Sequence, residues 1–139
     1  QAELPRSAAK KSLPRRTQIA LLPQWQDRIL VRRRGLDGML GGLWEFPTGQ
    51  LRPDQAPTRA ARQLLAELGY GGKMQELGKI RHSYSHFKLE IFSYLVQLEP
   101  PLPIAERDEN QQWLTLAELA KLPLHGAHKK IFARLAHPG

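Results

Sequence analysis

Apolar and polar positions in this chain follow two periods, and the switches between them mark the elements. Residues 1–14 have no apolar period and hold Pro, Ala, Ser and Lys; they read as a basic interdomain linker ahead of a folded domain over 15–139. "TQIALLPQWQDRILVRRR" then predicts two strands joined across residues 23–27, with Ile19, Leu21, Ile29 and Val31 supplying buried faces. "GLDGMLGGLWEFPTG" carries five glycines between positions 35 and 49, with an apolar stretch at 43–46 as a candidate third strand. So much glycine suits a loop that turns sharply or approaches something closely. "APTRAARQLLAELGY" switches to helical spacing: Pro57 suits a first turn, and Ala61, Leu64, Leu65 and Leu68 form a core-facing stripe. Gly69 is the expected stop.

Residues 74–98 return to strand character, interrupted near 83–87. In "LEIFSYLVQL", Leu89, Ile91 and Leu95 point one way, and Phe92, Tyr94, Val96 and Leu98 the other. A strand apolar on both faces belongs at the centre of a sheet covered on both sides. "NQQWLTL" predicts a short strand, and "TLAELAKL" one or two helical turns opened by a Thr115/Glu118 capping box. "HGAHKKIFARLA" predicts a closing helix buried through Ile131, Phe132 and Leu135. This order gives an α+β fold, a mixed sheet with helices packed on it as an α/β/α sandwich.

Charge changes the picture more than length does. Lys and Arg number 21 against 13 Asp and Glu, for a formal charge of +8, which favours a polyanionic partner. Phosphate-contact candidates are Lys10, Lys11, Arg15 and Arg16 near the start, and Arg32, Arg33 and Arg34 at a strand end, where a plain solvated edge is the alternative. There is no cysteine, so disulfides, thiol catalysis and cysteine-held metals are excluded within these residues. No apolar run approaches a membrane span, and the opening stretch "QAELPRSAAKKSLPRR" has no hydrophobic core segment of the kind a signal peptide carries. Without an initiator methionine, the chain reads as a fragment of a longer cytoplasmic protein.

The candidate chemistry lies in two places. "GGLWEFPTGQ" leading into "RQLLAELGY" resembles the Nudix box, in which a glycine, a loop glutamate and an Arg-Glu-…-Glu-Glu helix hold divalent metals against a diphosphate. Here Arg62 and Gly69 match, and Gly49 fits the leading glycine if one residue is deleted on the helix side. Gln63 and Ala66 stand where glutamates belong, Glu67 alone survives of the pair, and the loop carboxylate falls on Gln55 or Asp54. One secure carboxylate is too few for a magnesium cluster, so we expect no metal site and no catalytic residue here, with Glu67 a solvated helix residue.

The second place is "RHSYSHFKLEIF". With the degenerate box, the basic linker and "GMLGGLWEFP", it resembles the C-terminal, Nudix-like domain of the MutY group of adenine DNA glycosylases, which remove adenine mispaired with 8-oxoguanine. The resemblance runs over nearly all of residues 14–135. It implies that Ser85 hydrogen-bonds the damaged base, flanked by Tyr84 (phenylalanine is common there) and His86, with His82 as the preceding histidine. It also implies duplex DNA carrying an 8-oxoguanine:adenine mispair as partner, alongside the N-terminal glycosylase domain of the same chain. That domain would hold the catalytic acid and an iron–sulfur cluster. The fragment itself would be a non-catalytic monomer without cofactor, working in base excision repair at the bacterial nucleoid. The chemistry of the lesion agrees: 8-oxoguanine differs from guanine by an N7–H donor and an O8 acceptor, and a serine hydroxyl both donates and accepts. A serine bonding its own backbone in a hairpin is the plainer alternative. Two rival functions are a divergent Nudix hydrolase of oxidised nucleotides such as 8-oxo-dGTP, and a protein-interaction domain.

His125 and His128, three apart at the start of the last helix, could serve a metal. No carboxylate accompanies them in sequence, and solvated or capping roles are expected. Trp25 is placed in the hairpin turn, at the surface or in a contact. Trp44 and Trp113 are placed in the core.

Overall fold

The computed structural model describes residues 13–33, 43–102 and 110–136. Lys10, Lys11, Arg34, the glycines at 35–42 and most of the linker lie outside the described residues. The elements run β1 (Arg15–Trp25), β2 (Arg28–Arg33), β3 (Trp44–Glu45), β4 (Thr48–Gln50), α1 (Pro57–Glu67), β5 (Gly71–Ser83), β6 (Lys88–Glu99), β7 (Gln111–Leu114), α2 (Leu116–Leu119) and α3 (Gly126–Ala136). Seven strands form one mixed sheet in the order β3-β2-β1-β6-β5, with β4 also on β1 and β7 also on β2. β1 and β6 are parallel neighbours, and β6 pairs antiparallel with β5 along nearly its whole length.

The double-sided pattern of β6 is explained by its neighbours and covers. Tyr94, Val96 and Leu98 join Ile19, Leu21, Ala61 and Leu65 under α1. Leu89 and Ile91 join Ala20, Leu22, Ile80 and Ile131 under α3. This is the sandwich expected from sequence, with β5 at one edge.

Four local details differ from expectation. β1 does not end at Pro23 but runs through it to Trp25, and only Gln26 and Asp27 turn the hairpin, Gln26 with φ of 57°. Pro23 is tolerated because its missing N–H faces the flank between β4, which pairs Gln18–Ala20, and β2, which pairs from Gln24. Trp25 is therefore a half-buried strand residue packed on the α1-side core. β4 is an additional strand. In α1, Ala60 is buried with Ala61 and Leu65, while Leu64 and Leu68 are half-buried. α3 buries Ala127, His128 and Ile131, leaving Phe132 and Leu135 half-buried. The Thr115/Glu118 capping box is formed: each side chain accepts from the other's backbone N–H.

Candidate nucleic-acid interface

The last pair of the β5–β6 ladder is Ser83 with Lys88. Beyond it the Tyr84 N–H donates to the Phe87 carbonyl at 2.8 Å, closing a turn over residues 84–87. Ser85 and His86 form its exposed tip. Tyr84 does not join them. Its ring turns back between His82 and Phe87, with centroids 4.5 and 5.0 Å away. Its hydroxyl accepts from the Ala127 N–H at 3.2 Å and lies 2.9 Å from His125 Nδ1. A phenol hydroxyl carries one proton and two acceptor lone pairs, so with the Ala127 N–H already accepted it bonds Nδ1 as donor or as second-time acceptor according to the tautomer of the ring. His125 Nε2 then faces Glu45 Oε1 at 3.5 Å. The guanidinium of Arg16 lies over Phe87 at 4.4 Å, supporting the turn from the β1 side. The tip is therefore held by a strand pair, an aromatic stack and a polar chain reaching into the start of α3.

His82 sits at the base of this arrangement. Its Nδ1 is buried with no hydrogen-bond partner among the described residues. Burial lowers its pKa, helped by Lys130 and then by His125. Gly126 is required beside it: a Cβ there would come within 2.6 Å of His82 Nε2.

The expectation of solvated or capping roles for His125 and His128 is overturned. They are 5% and 0% exposed, and Glu45, from "LWEF", joins them. One ligand atom from each of these three residues falls within 4.8 Å of the others. The donor set nevertheless does not fit a metal. His128 Nδ1 accepts the Phe46 N–H at 2.9 Å, so the ring proton sits on Nε2, which is then a donor and not a ligand. The ring also stacks on Phe46. A buried carboxylate facing a buried histidine from 80 residues away in the chain has no local signature, and the only hints were a glutamate inside an apolar run and the i, i+3 histidines.

The box helix lies elsewhere, on the α1 face. Gly49, Gln55, Gln63, Leu64 and Glu67 share a cleft of about 310 Å³. The fold thus brings the two ends of the box together. Arg62, Gln63 and Glu67 are exposed, as is Asp54, and Gly69 ends the helix turn with φ of 86°. Glu67 is the one carboxylate lining the cleft among the described residues.

The NUDIX domain family model matches residues 18–134. The chain belongs to the Nudix domain family. Over 110 residues this Nudix domain is 34% identical to rat adenine DNA glycosylase, covering 75% of the chain and 21% of that protein. It spans about a fifth of the length of the relatives it matches. The C-terminal domain of mouse MUTYH, solved in complex with human PCNA, superposes with a TM-score of 0.65 at 26% identity, covering 88% of this chain and 86% of that one. A MutT protein from Methanosarcina mazei superposes with a TM-score of 0.71 at 18% identity over 90% of this chain and 95% of that one, a likeness of fold alone. The Nudix domain is thus homologous to a region of adenine DNA glycosylases.

Of the cations singled out in sequence, Arg33 is engaged within the domain: it donates to Asn110 Oδ1 at 3.2 and 3.3 Å and lies over Trp44. Arg32 is half-buried between β3 and β7. Trp44 is buried and Trp113 half-buried.

Proposed function

We propose that this Nudix domain is the lesion-reading part of an adenine DNA glycosylase. It reads 8-oxoguanine opposite adenine in duplex DNA and does no hydrolysis itself. The observation that carries the reading is the anchored turn. Ser85 and His86 are exposed at its tip, while Tyr84 is tied by its hydroxyl to Ala127 and His125. A reader of one altered base edge needs a short donor–acceptor group held rigidly, because flexibility would spend binding energy on ordering. Ser85 is that group, and His86 adds a second polar side chain. Tyr84 serves as the anchor and makes no base contact. The excision chemistry and the iron–sulfur cluster belong to the separate N-terminal domain, the second partner. The homology to adenine DNA glycosylases and the single carboxylate that lines the α1 cleft among the described residues support this division.

The test is discrimination between two duplexes. Ser85→Ala should weaken the preference for 8-oxoguanine over guanine opposite adenine several-fold, as expected for one hydrogen bond of about 0.5–1.5 kcal/mol. Ser85→Ala with His86→Ala should cost more. The ratio of binding constants, or of single-turnover excision rates in the intact enzyme, is the readout. A double variant with both ratio and affinities unchanged would leave the turn an ordinary hairpin bend.

A further inference from the structure

The α1 face of the sheet is apolar only part of the way along. Beyond the residues that α1 covers, at the end where the 84–87 turn projects, the same face becomes basic. Arg15 of β1 and Lys88 of β6 are in-register neighbours. Lys88 is also paired with Ser83 of β5, and Arg81 is paired with Glu90. Arg15, Arg81, Ser83 and Lys88 are exposed and, with Glu90, line a hollow of about 280 Å³. Glu90 is the one acid there, and it is shared: Lys79 lies 3.7 Å and Arg81 3.2 Å from its Oε2. Among the described residues neither Arg15 nor Lys88 has an ion-pair partner. Like charges opposite one another on adjacent strands destabilise a sheet, so this arrangement costs stability unless an anion lies over it.

We propose that this open sheet end is a seat for the phosphodiester backbone of duplex DNA. Arg15, Arg81 and Lys88 would neutralise phosphates, and the Ser83 hydroxyl would donate to a phosphate oxygen. The proposal rests on the lesion-reading function and extends it. Ser83 and Lys88 flank the turn, so a backbone held by them would lie two to three residues from Ser85. Phosphate contacts position a protein on its duplex, whereas base contacts specify. The two sets of residues therefore have separable signatures.

The experiment titrates the domain onto an 8-oxoguanine:adenine duplex and a guanine:adenine duplex over a fourfold range of salt. Arg81→Gln with Lys88→Gln should lower the log–log salt slope by about 1.8, two phosphates at roughly 0.9 each. Over fourfold salt, the parent should then lose about twelvefold more affinity than the variant. Both duplexes should weaken equally, leaving the preference intact. Arg81→Lys with Lys88→Arg should keep the parental slope. Lys73→Gln, roughly 33 Å from Ser83 along β5 at 3.3 Å per residue, should change little. Circular dichroism would establish that each variant is folded. An unaltered slope in a folded Gln/Gln variant, or an equal loss in Lys73→Gln, would overturn the proposal while leaving lesion reading intact. Failure of lesion reading would show differently, as an unchanged duplex preference in the Ser85/His86 double variant. A parent that binds neither duplex at low salt would sink both.

Discussion

The two faces of the sheet carry two polar constellations, and they are built in opposite ways. On the α1 face, the cleft between Gly49 and Glu67 is open, and its polar side chains are exposed apart from the half-buried Gln55. On the α3 face, Glu45, His125 and His128 are buried, and they connect through Tyr84 to the base of the turn. A metal-dependent hydrolase needs several carboxylates converging on one point, and the loss of two or three removes the function without touching the fold. A rigid turn depends on its buried hydrogen bonds, here Ala127 N–H to the Tyr84 hydroxyl and Phe46 N–H to His128, and the loss of one costs stability. The first kind of site can decay silently; the second cannot.

The contrast predicts unequal costs. The largest should come from His128→Ala, which opens a cavity and leaves the buried Phe46 N–H without its acceptor. We expect a loss of about 3 kcal/mol in urea unfolding. A loss under about 1 kcal/mol would mean that the α3 constellation is not structural. Next, Tyr84→Phe keeps the ring but removes the hydroxyl that accepts from Ala127. It should cost about 1 kcal/mol and lower the preference for 8-oxoguanine, although Ser85 is untouched. An unchanged preference would disconnect the anchor from the tip.

A smaller effect is expected with pH. Burial, with Lys130 and His125 nearby, depresses the His82 pKa below its ordinary 6.5, so the folded domain favours the neutral ring. The unfolded chain takes up a proton at the ordinary value. The contribution of His82 to stability is therefore complete above pH 6.5 and is lost as pH falls from there through the lower folded value. The melting temperature of the parent should drop more steeply between pH 7.5 and 5 than that of His82→Gln. Parallel curves would remove His82 from the account.

Glu67→Gln, in the α1 cleft, should have the smallest effect, within about 0.5 kcal/mol, as for an exposed residue with no special contact. Neither parent nor variant should release pyrophosphate or phosphate from 8-oxo-dGTP with magnesium or manganese. Metal-dependent turnover abolished by Glu67→Gln would reverse the comparison and make the cleft the functional site.

What the sequence determined by itself is whatever repeats locally. The period-two run of β6 fixed a central strand covered on both faces, and the i, i+3, i+4 spacing of α1 fixed its buried side. Pro57, Gly69 and the Thr115/Glu118 box fixed helix ends, because capping is a matter of neighbouring residues. The box spacing and the "HSYSH" stretch marked the two regions worth building. The tertiary structure decided what depends on residues far apart in the chain. Phe46 meets His128 across 82 positions, and Tyr84 meets His125 across 41. No local period distinguishes a buried histidine from a solvated one at a helix start. Register likewise set Arg15 beside Lys88 and passed β1 through Pro23, because strand pairing, not composition, determines which charges face each other and which N–H is dispensable. The direction of the turn was hidden for the same reason: only the packing of Tyr84 against α3 sends the tyrosine inward and leaves Ser85 and His86 outside.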